Sequence, residues 1–317
     1  MSKRLVILFM AIAAILLALG ACADDLAEVP DGMPALDFAN LPYVAQSEFA
    51  FAGYAELLNM VYAEVDGRQL RFDIFFPTEQ KFERAPLVVG FHGGGWMAGD
   101  RSELTQGFAP IVAELRANGY AFATVEYRFA NAQDIVFPAP LGDAYAFVRY
   151  IKENAGLYNI DPGNIGVLGY SAGAHLAMML AYSTYLDISY VVSFAGPTKM
   201  FGDDPAGYPR ATLMMVENFF GGTYEQLPEL YRQGSPYYHL GRDRRVPILL
   251  VHDRADAVVP FSQAEQMFER AAGLGIDSEL LEISGVGHDI EFASDRVSGR
   301  YEIMGVILDF IYRNHEN

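Results

Sequence analysis

The stretch Gly169-Tyr170-Ser171-Ala172-Gly173 sets a hydroxyl between two glycines. An apolar, strand-forming run precedes it, Ile165-Gly166-Val167-Leu168, and a helix-forming run from Ala172 to Met178 follows. A chain that turns this sharply from strand to helix crowds the positions two before and two after the turn, where a side chain would clash. The strain holds the Ser171 hydroxyl proud of a sheet. It also puts the Ala172 amide at a helix N-terminus, where partial positive charge can meet a developing oxyanion. The chemistry on offer is nucleophilic attack by Ser171 on a carbonyl. A merely structural serine in a tight turn would not need both flanking elements.

A serine hydroxyl is a poor nucleophile near neutral pH. It needs a neutral imidazole in hydrogen-bond reach, and the imidazole needs a carboxylate to fix its tautomer. Behind a strand–Ser–helix turn the acid and then the histidine follow in chain order. Of the six histidines, only His288, in Gly285-Val286-Gly287-His288-Asp289, lies in a loop after a late strand. His175 falls on the helix after the turn and reads as a packed residue; His315 is in the tail. The acid should follow Ile248 to Val251, where Asp253 and Asp256 both qualify. Asp256, ahead of the turn Ala257-Val258-Val259-Pro260, is preferred and Asp253 kept as its rival; Asp289 is expected to be exposed.

His92-Gly93-Gly94-Gly95-Trp96 follows another apolar run. Consecutive glycines are costly to order, and close approach of backbone amides to a ligand is a good reason to keep them. The Gly93 and Gly94 amides, with that of Ala172, are expected to surround the oxyanion of a tetrahedral intermediate. His92 is expected to hold this loop rather than act as base.

The elements that must position these groups are legible from hydrophobic periodicity. Val61 to Val65 and Leu70 to Phe76 form a hairpin through Asp66-Gly67. Pro86–Phe91, Tyr120–Val125, Asn164–Gly169, Tyr190–Phe194, Val246–Val251 and Ser278–Ile283 read as strands. Ser102–Asn118, Leu141–Asn154, Ala172–Tyr182, Ser262–Ala272 and Glu302–Arg313 read as helices. This alternation predicts an α/β fold, a mostly parallel sheet covered on both faces. Residues 197–245 interrupt it and hold eight aromatics, expected mostly to pack the excursion onto the body rather than line a pocket.

Hydrophobic residues make up 52% of the 317 residues and charged residues 20%, enough apolar content for a large core. The net charge of −18 disfavours nucleic-acid phosphates and anionic lipid alike. Lys3-Arg4 followed by apolar Leu5 to Ala21 reads as an export signal covering residues 1–21. Leu19-Gly20-Ala21-Cys22 resembles a bacterial lipobox, so the single cysteine, Cys22, is expected to carry lipid. An uncleaved anchor or a plainly cleaved signal are the alternatives. Residues 22–55 are expected to be a tether and irregular lead-in, and 56–317 the catalytic domain. Membrane attachment would come through Cys22 alone, on the periplasmic or cell-surface side. With one cysteine there is neither an internal disulfide nor a thiolate zinc site.

Five stretches together resemble the hormone-sensitive-lipase-like and feruloyl/acetyl-xylan-esterase-like branch of the α/β hydrolases. They are His92 to Trp96, Asp161 to Gly166, Gly169 to Ala177, Asp256 to Pro260 and Gly287-His288. Phe220-Gly221-Gly222-Thr223 with Ser235-Pro236 adds to the likeness, which covers roughly Val61 to Phe310. The resemblance implies an α/β-hydrolase fold and serine carboxylesterase activity on small acyl esters, with no metal and no cofactor. His252-Asp253 departs from the His-Gly usual in that branch. The extra carboxylate leaves the Asp253/Asp256 choice open, and would raise the pKa of whichever is more buried. An amidase or arylformamidase would carry the same motifs, and a comparison of ester and formamide turnover separates them. A surface-anchored binding protein that has lost its chemistry would leave Ser171 unlabelled by a fluorophosphonate.

Overall fold

The computed structural model describes residues 36, 38, 53, 55–201, 207–241, 245–292 and 297–315. The expected signal segment 1–21, Cys22 and most of the lead-in lie outside the described residues, as do Arg242 and Arg244. In chain order the elements are β1 (Glu56–Val65), β2 (Arg68–Phe75), β3 (Ala85–Phe91), α1 (Ser102–Gly107), α2 (Ala109–Ala117), β4 (Ala121–Val125), α3 (Ala139–Glu153), α4 (Ala155–Tyr158), β5 (Ile160–Tyr170), α5 (Ala172–Ser183), β6 (Val191–Phe194), α6 (Arg210–Phe220), α7 (Pro228–Gln233), α8 (Pro236–His239), β7 (Ile248–Asp253), α9 (Ser262–Gly273), β8 (Ser278–Ile283) and α10 (Arg300–Arg313).

One eight-stranded sheet runs in the order β1-β2-β4-β3-β5-β6-β7-β8. β1 and β2 form the expected hairpin, and β2 is antiparallel to β4; every pairing from β4 to β8 is parallel. Asp66 and Gly67 both take positive φ, 51° and 76°. This is the turn whose twist matches paired strands.

The central strands are continuous apolar runs because both faces are covered. Successive side chains on them serve opposite layers. Val89 and Phe91 of β3, Ile165 and Val167 of β5, Val191 of β6 and Ile248 and Leu250 of β7 join one buried cluster with α3, α5 and α9. Val88, Leu168, Val192, Phe194, Leu249 and Val251 join the other, with α1, α2 and α10. From the lead-in, Phe38 packs into the first of these and the Leu36 N–H donates to the Ser183 carbonyl at 2.8 Å.

The segment read as a single helix over 102–118 is two. Phe108 separates α1 from α2 with φ −108° and ψ 19°. Pro110 sits in the first turn of α2. It has no N–H for a continuing helix, and its ring would clash with the preceding turn. β5 starts at Ile160, earlier than read, because Ile160 pairs with Ala85 across a register irregularity.

Residues 197–245 carry α6, α7 and α8. Their aromatics pack on one another: Phe201 stacks between Tyr224 and Tyr238, and Phe220 on Tyr231. Phe219 reaches the body and stacks on Trp96 at 4.5 Å.

Candidate active site

β5 ends at Tyr170 and α5 begins at Ala172, so Ser171 alone makes the turn, at φ 54° and ψ −120°. The Ser171 N–H donates to the Phe194 carbonyl at 2.8 Å, tying the turn to the end of β6. A Cβ on Gly169 would lie 2.3 Å from Gly173 backbone atoms, and one on Gly173 would lie 2.0 Å from the Phe91 carbonyl oxygen. Both distances are impossible, which is why these two positions are glycine.

The structure brings three distant residues together at the ends of β5, β7 and β8. His288 Nε2 lies 3.0 Å from Ser171 Oγ, and His288 Nδ1 lies 2.7 Å from Asp256 Oδ2. A carboxylate only accepts, so Nδ1 carries the proton and the Nε2 lone pair faces the serine hydroxyl. Asp256 Oδ1 caps the Val258 and Val259 N–H groups at 2.8 and 2.9 Å. His252 Nε2 approaches Asp256 Oδ2 at 3.2 Å and the Val259 carbonyl at 2.9 Å; both are acceptors, so this nitrogen is protonated too.

Burial opposes the charge on Asp256, but hydrogen bonds from His252, His288 and the Val258 amide hold its carboxyl well below the usual range. The expected upward shift from a second carboxylate is thus reversed at Asp256: donors surround the charge. Asp253 does not reach the ring. Its Oδ1 accepts from Ala255, and its Oδ2 accepts from both Val286 and Gly287, each at 2.8 Å.

The glycine loop lies between β3 and α1. Gly94 has φ +103°, and a Cβ there would sit 2.0 Å from the Ala98 carbonyl oxygen. The Gly94 carbonyl takes the Met97 and Ala98 amides, at 3.0 and 3.1 Å, so the loop folds back on itself. His92 holds it from beneath. Its Nδ1 donates to the Gly93 carbonyl at 2.8 Å and its ring stacks on Tyr127, whose hydroxyl donates to the His92 carbonyl. Burial lowers the His92 pKa, consistent with a neutral structural ring.

Four contacts here were not legible in the sequence. Trp96 Nε1–H donates to His175 Nδ1 at 3.2 Å, and His175 Nε2–H donates to the Gly234 carbonyl at 2.7 Å. One fully buried imidazole thus joins the glycine loop, α5 and the 197–245 excursion; burial brings its pKa down to about 4. The Tyr170 hydroxyl donates to the His288 carbonyl at 2.7 Å. His252 meets Asp256 as described. The only sequence signal was that aromatic and imidazole residues adjoin the motifs.

Beside Gly93 and Tyr170 opens a cavity of about 140 Å³ with Leu104 and Phe108 among its walls and Glu103, Asp289 and Glu291 around it. Burial and then the neighbouring Asp100 charge raise the Glu103 pKa, against a backbone hydrogen bond that lowers it. Among the described residues no cluster of three His, Cys, Asp or Glu is arranged to hold a metal.

The BD-FAE family model matches residues 72–271, a stretch that includes Ser171 and Asp256 and stops short of His288. Among curated proteins, the chain is 25% identical over 260 residues to esterase LipC of Mycobacterium tuberculosis, covering 78% of this chain and 62% of LipC. The chain spans less than two thirds of the length of the curated relatives it matches first. Among solved structures, a truncated carbohydrate esterase from gut microbiota superposes with TM-score 0.66 at 21% identity, covering 85% of this chain and all of that one. Esterase 2 of Thermogutta terrifontis, phosphonylated by sarin, superposes with TM-score 0.69 at 21% identity over 80% of this chain and 94% of its own. These likenesses, with the sheet order above, show an α/β-hydrolase fold.

Proposed function

The chain belongs to the BD-FAE family, and from that premise we propose that it is a serine carboxylesterase that cleaves small acyl esters through a covalent acyl-enzyme. The observation that carries the reading is the continuous relay from Ser171 Oγ through His288 to Asp256, with gaps of 3.0 and 2.7 Å. Both gaps lie within proton-transfer reach. Ser171 Oγ attacks the ester carbonyl while His288 Nε2 takes its proton. Asp256 keeps the Nδ1 proton in place and stabilises the imidazolium. The N–H groups of Gly93, Gly94 and Ala172 hold the oxyanion. His288 then protonates the leaving alkoxide, and water, activated by the same nitrogen, releases the acid. Support also comes from LipC being an esterase and from the phosphonylation of the Thermogutta esterase 2 by sarin, an organophosphorus electrophile.

Ser171→Ala should abolish turnover of p-nitrophenyl acetate while preserving the far-ultraviolet circular dichroism; unchanged turnover refutes the assignment. An acyl-chain-length series alongside acetylated and feruloylated sugars then defines the substrate. We further propose that Cys22 anchors the protein to a bacterial membrane by lipid on the periplasmic or cell-surface side. Motif reading of residues 1–22 is its support. In a bacterial host, Cys22→Ser should move the protein from the detergent phase to the aqueous phase on partition.

A further inference from the structure

We propose that Asp253 is a positioning residue for the base: its carboxylate grips the loop that carries His288 and so fixes the ring's approach to Ser171. The proposal rests on the ester-hydrolase reading above. Asp253 ends β7, paired there with Ile283, the last residue of β8, and is 1% exposed. Between Ile283 and His288 the chain runs Ser284-Gly285-Val286-Gly287. Gly285 and Gly287 take φ of +88° and +60°. A segment with two glycines has many conformations to choose from, and its own side chains offer little to select one.

The selection comes from outside the segment. Asp253 Oδ2 accepts the consecutive Val286 and Gly287 N–H groups, and Oδ1 accepts the Ala255 N–H, all at 2.8 Å. These are charge-assisted bonds to a buried group, stronger than neutral ones. One residue further along, the Tyr170 hydroxyl donates to the His288 carbonyl. The base is therefore clamped before and after: from the acid strand through Asp253, and from the strand leading to the nucleophile through Tyr170. The same carboxylate fixes the Ala255 amide in the turn that presents Asp256, so one side chain registers the acid turn against the base loop. Glycine, usual at this position in the resembled branch, cannot do this.

Asp253→Asn replaces an accepting oxygen with a donating NH2. In either orientation of the amide it faces a donor with a donor. The expected result is a kcat per active site about 10- to 100-fold lower, the size of loss that follows from misplacing a catalytic group by about 1 Å, with little change in KM. Active sites are counted by covalent titration with a fluorophosphonate, so misfolded protein does not enter the comparison. The downfield proton resonance of the His288 Nδ1–H facing Asp256 should shift or broaden. Asp253→Ser, whose hydroxyl can accept one N–H, should show an intermediate kcat and serves if the Asn variant does not fold. A variant with a lowered melting temperature but wild-type kcat per titrated site and an unchanged resonance overturns the proposal, since Asp253 would then be structural only. A wild-type protein that turns over no ester overturns the esterase reading instead.

Discussion

At Asp256 two imidazoles share one carboxylate oxygen, and the other oxygen caps the turn that follows. All of these donors favour the ionised form. The Asp256 carboxylate therefore stays charged well into the acid range. Asp256→Asn removes that charge and can present its NH2 to Nδ1, favouring the wrong imidazole tautomer. We expect kcat to fall about 10⁴-fold, as such a change does in a triad of this kind, with the fold retained by far-ultraviolet circular dichroism. Stopped-flow acylation measures it, and a loss below about tenfold would show that orientation by the carboxylate contributes little. At this scale the sequence was informative wherever chemistry demands a rare residue. Only glycine fits at 169 and 173, and only one histidine follows a late strand. It preferred Asp256, which precedes the turn into the next helix, but kept Asp253 as a rival, because both come at the end of the same apolar run. What separates them is lateral: one faces an imidazole, the other two amides from the loop after β8. Spacing along the chain does not encode that difference.

At the scale of elements, His175 joins three pieces that periodicity treats as independent: α5, the glycine loop through Trp96, and the excursion through Gly234. It reads as a packed helix residue, and it is one, but its two ring nitrogens are also the polar connection between those pieces. Because burial lowers its pKa to about 4 while an unfolded chain titrates near 6.5, protonation favours the unfolded state. The stabilising contribution is complete above about pH 6.5 and is lost as pH falls from there through about 4. One proton over this interval amounts to about 3 kcal/mol. His175→Gln can keep both hydrogen bonds without titrating. Urea midpoints of the wild type should therefore decline relative to the Gln variant between pH 6.5 and 4.5, and parallel curves would reject the assignment. The neighbouring glycine loop gives a second expectation. Gly94→Ala places a Cβ against the Ala98 carbonyl at a φ of +103°, so the Gly94 amide must move. Losing one oxyanion donor costs about 10²–10³ in kcat; a smaller loss in single-turnover assays would mean that this amide is not one of them. Among the elements themselves, strands buried on both faces were legible because they leave continuous apolar runs. The break between α1 and α2 is not legible in the helical spacing, because Phe108, Ile111, Val112 and Leu115 all lie at or beyond it and place no constraint on residues 102–107; Pro110 was the available signal.

At the scale of the whole molecule, composition adds something the triad does not. The chain carries 40 acidic against 22 basic residues, and Glu103, Asp289 and Glu291 surround the cavity beside Gly93 and Tyr170. A cleft lined by one sign of charge focuses the field of the whole surface and raises the local concentration of oppositely charged ligands. Esters with a cationic alcohol should therefore reach Ser171 faster than neutral esters of the same shape, and anionic esters slower. The comparison that isolates charge from shape is acetylcholine against 3,3-dimethylbutyl acetate, where a quaternary nitrogen is exchanged for carbon. The ratio of their kcat/KM values should be largest at about 0.01 M salt, where the screening length is about 30 Å. It should fall several-fold by about 1 M, where that length is about 3 Å. Replacing Glu103 and Glu291 by Gln should lower the low-salt ratio and leave turnover of the neutral ester near its wild-type value. Neither residue has a role in the proposed proton relay. If the ratio stays flat across salt, the acidic surface does not project its field to Ser171.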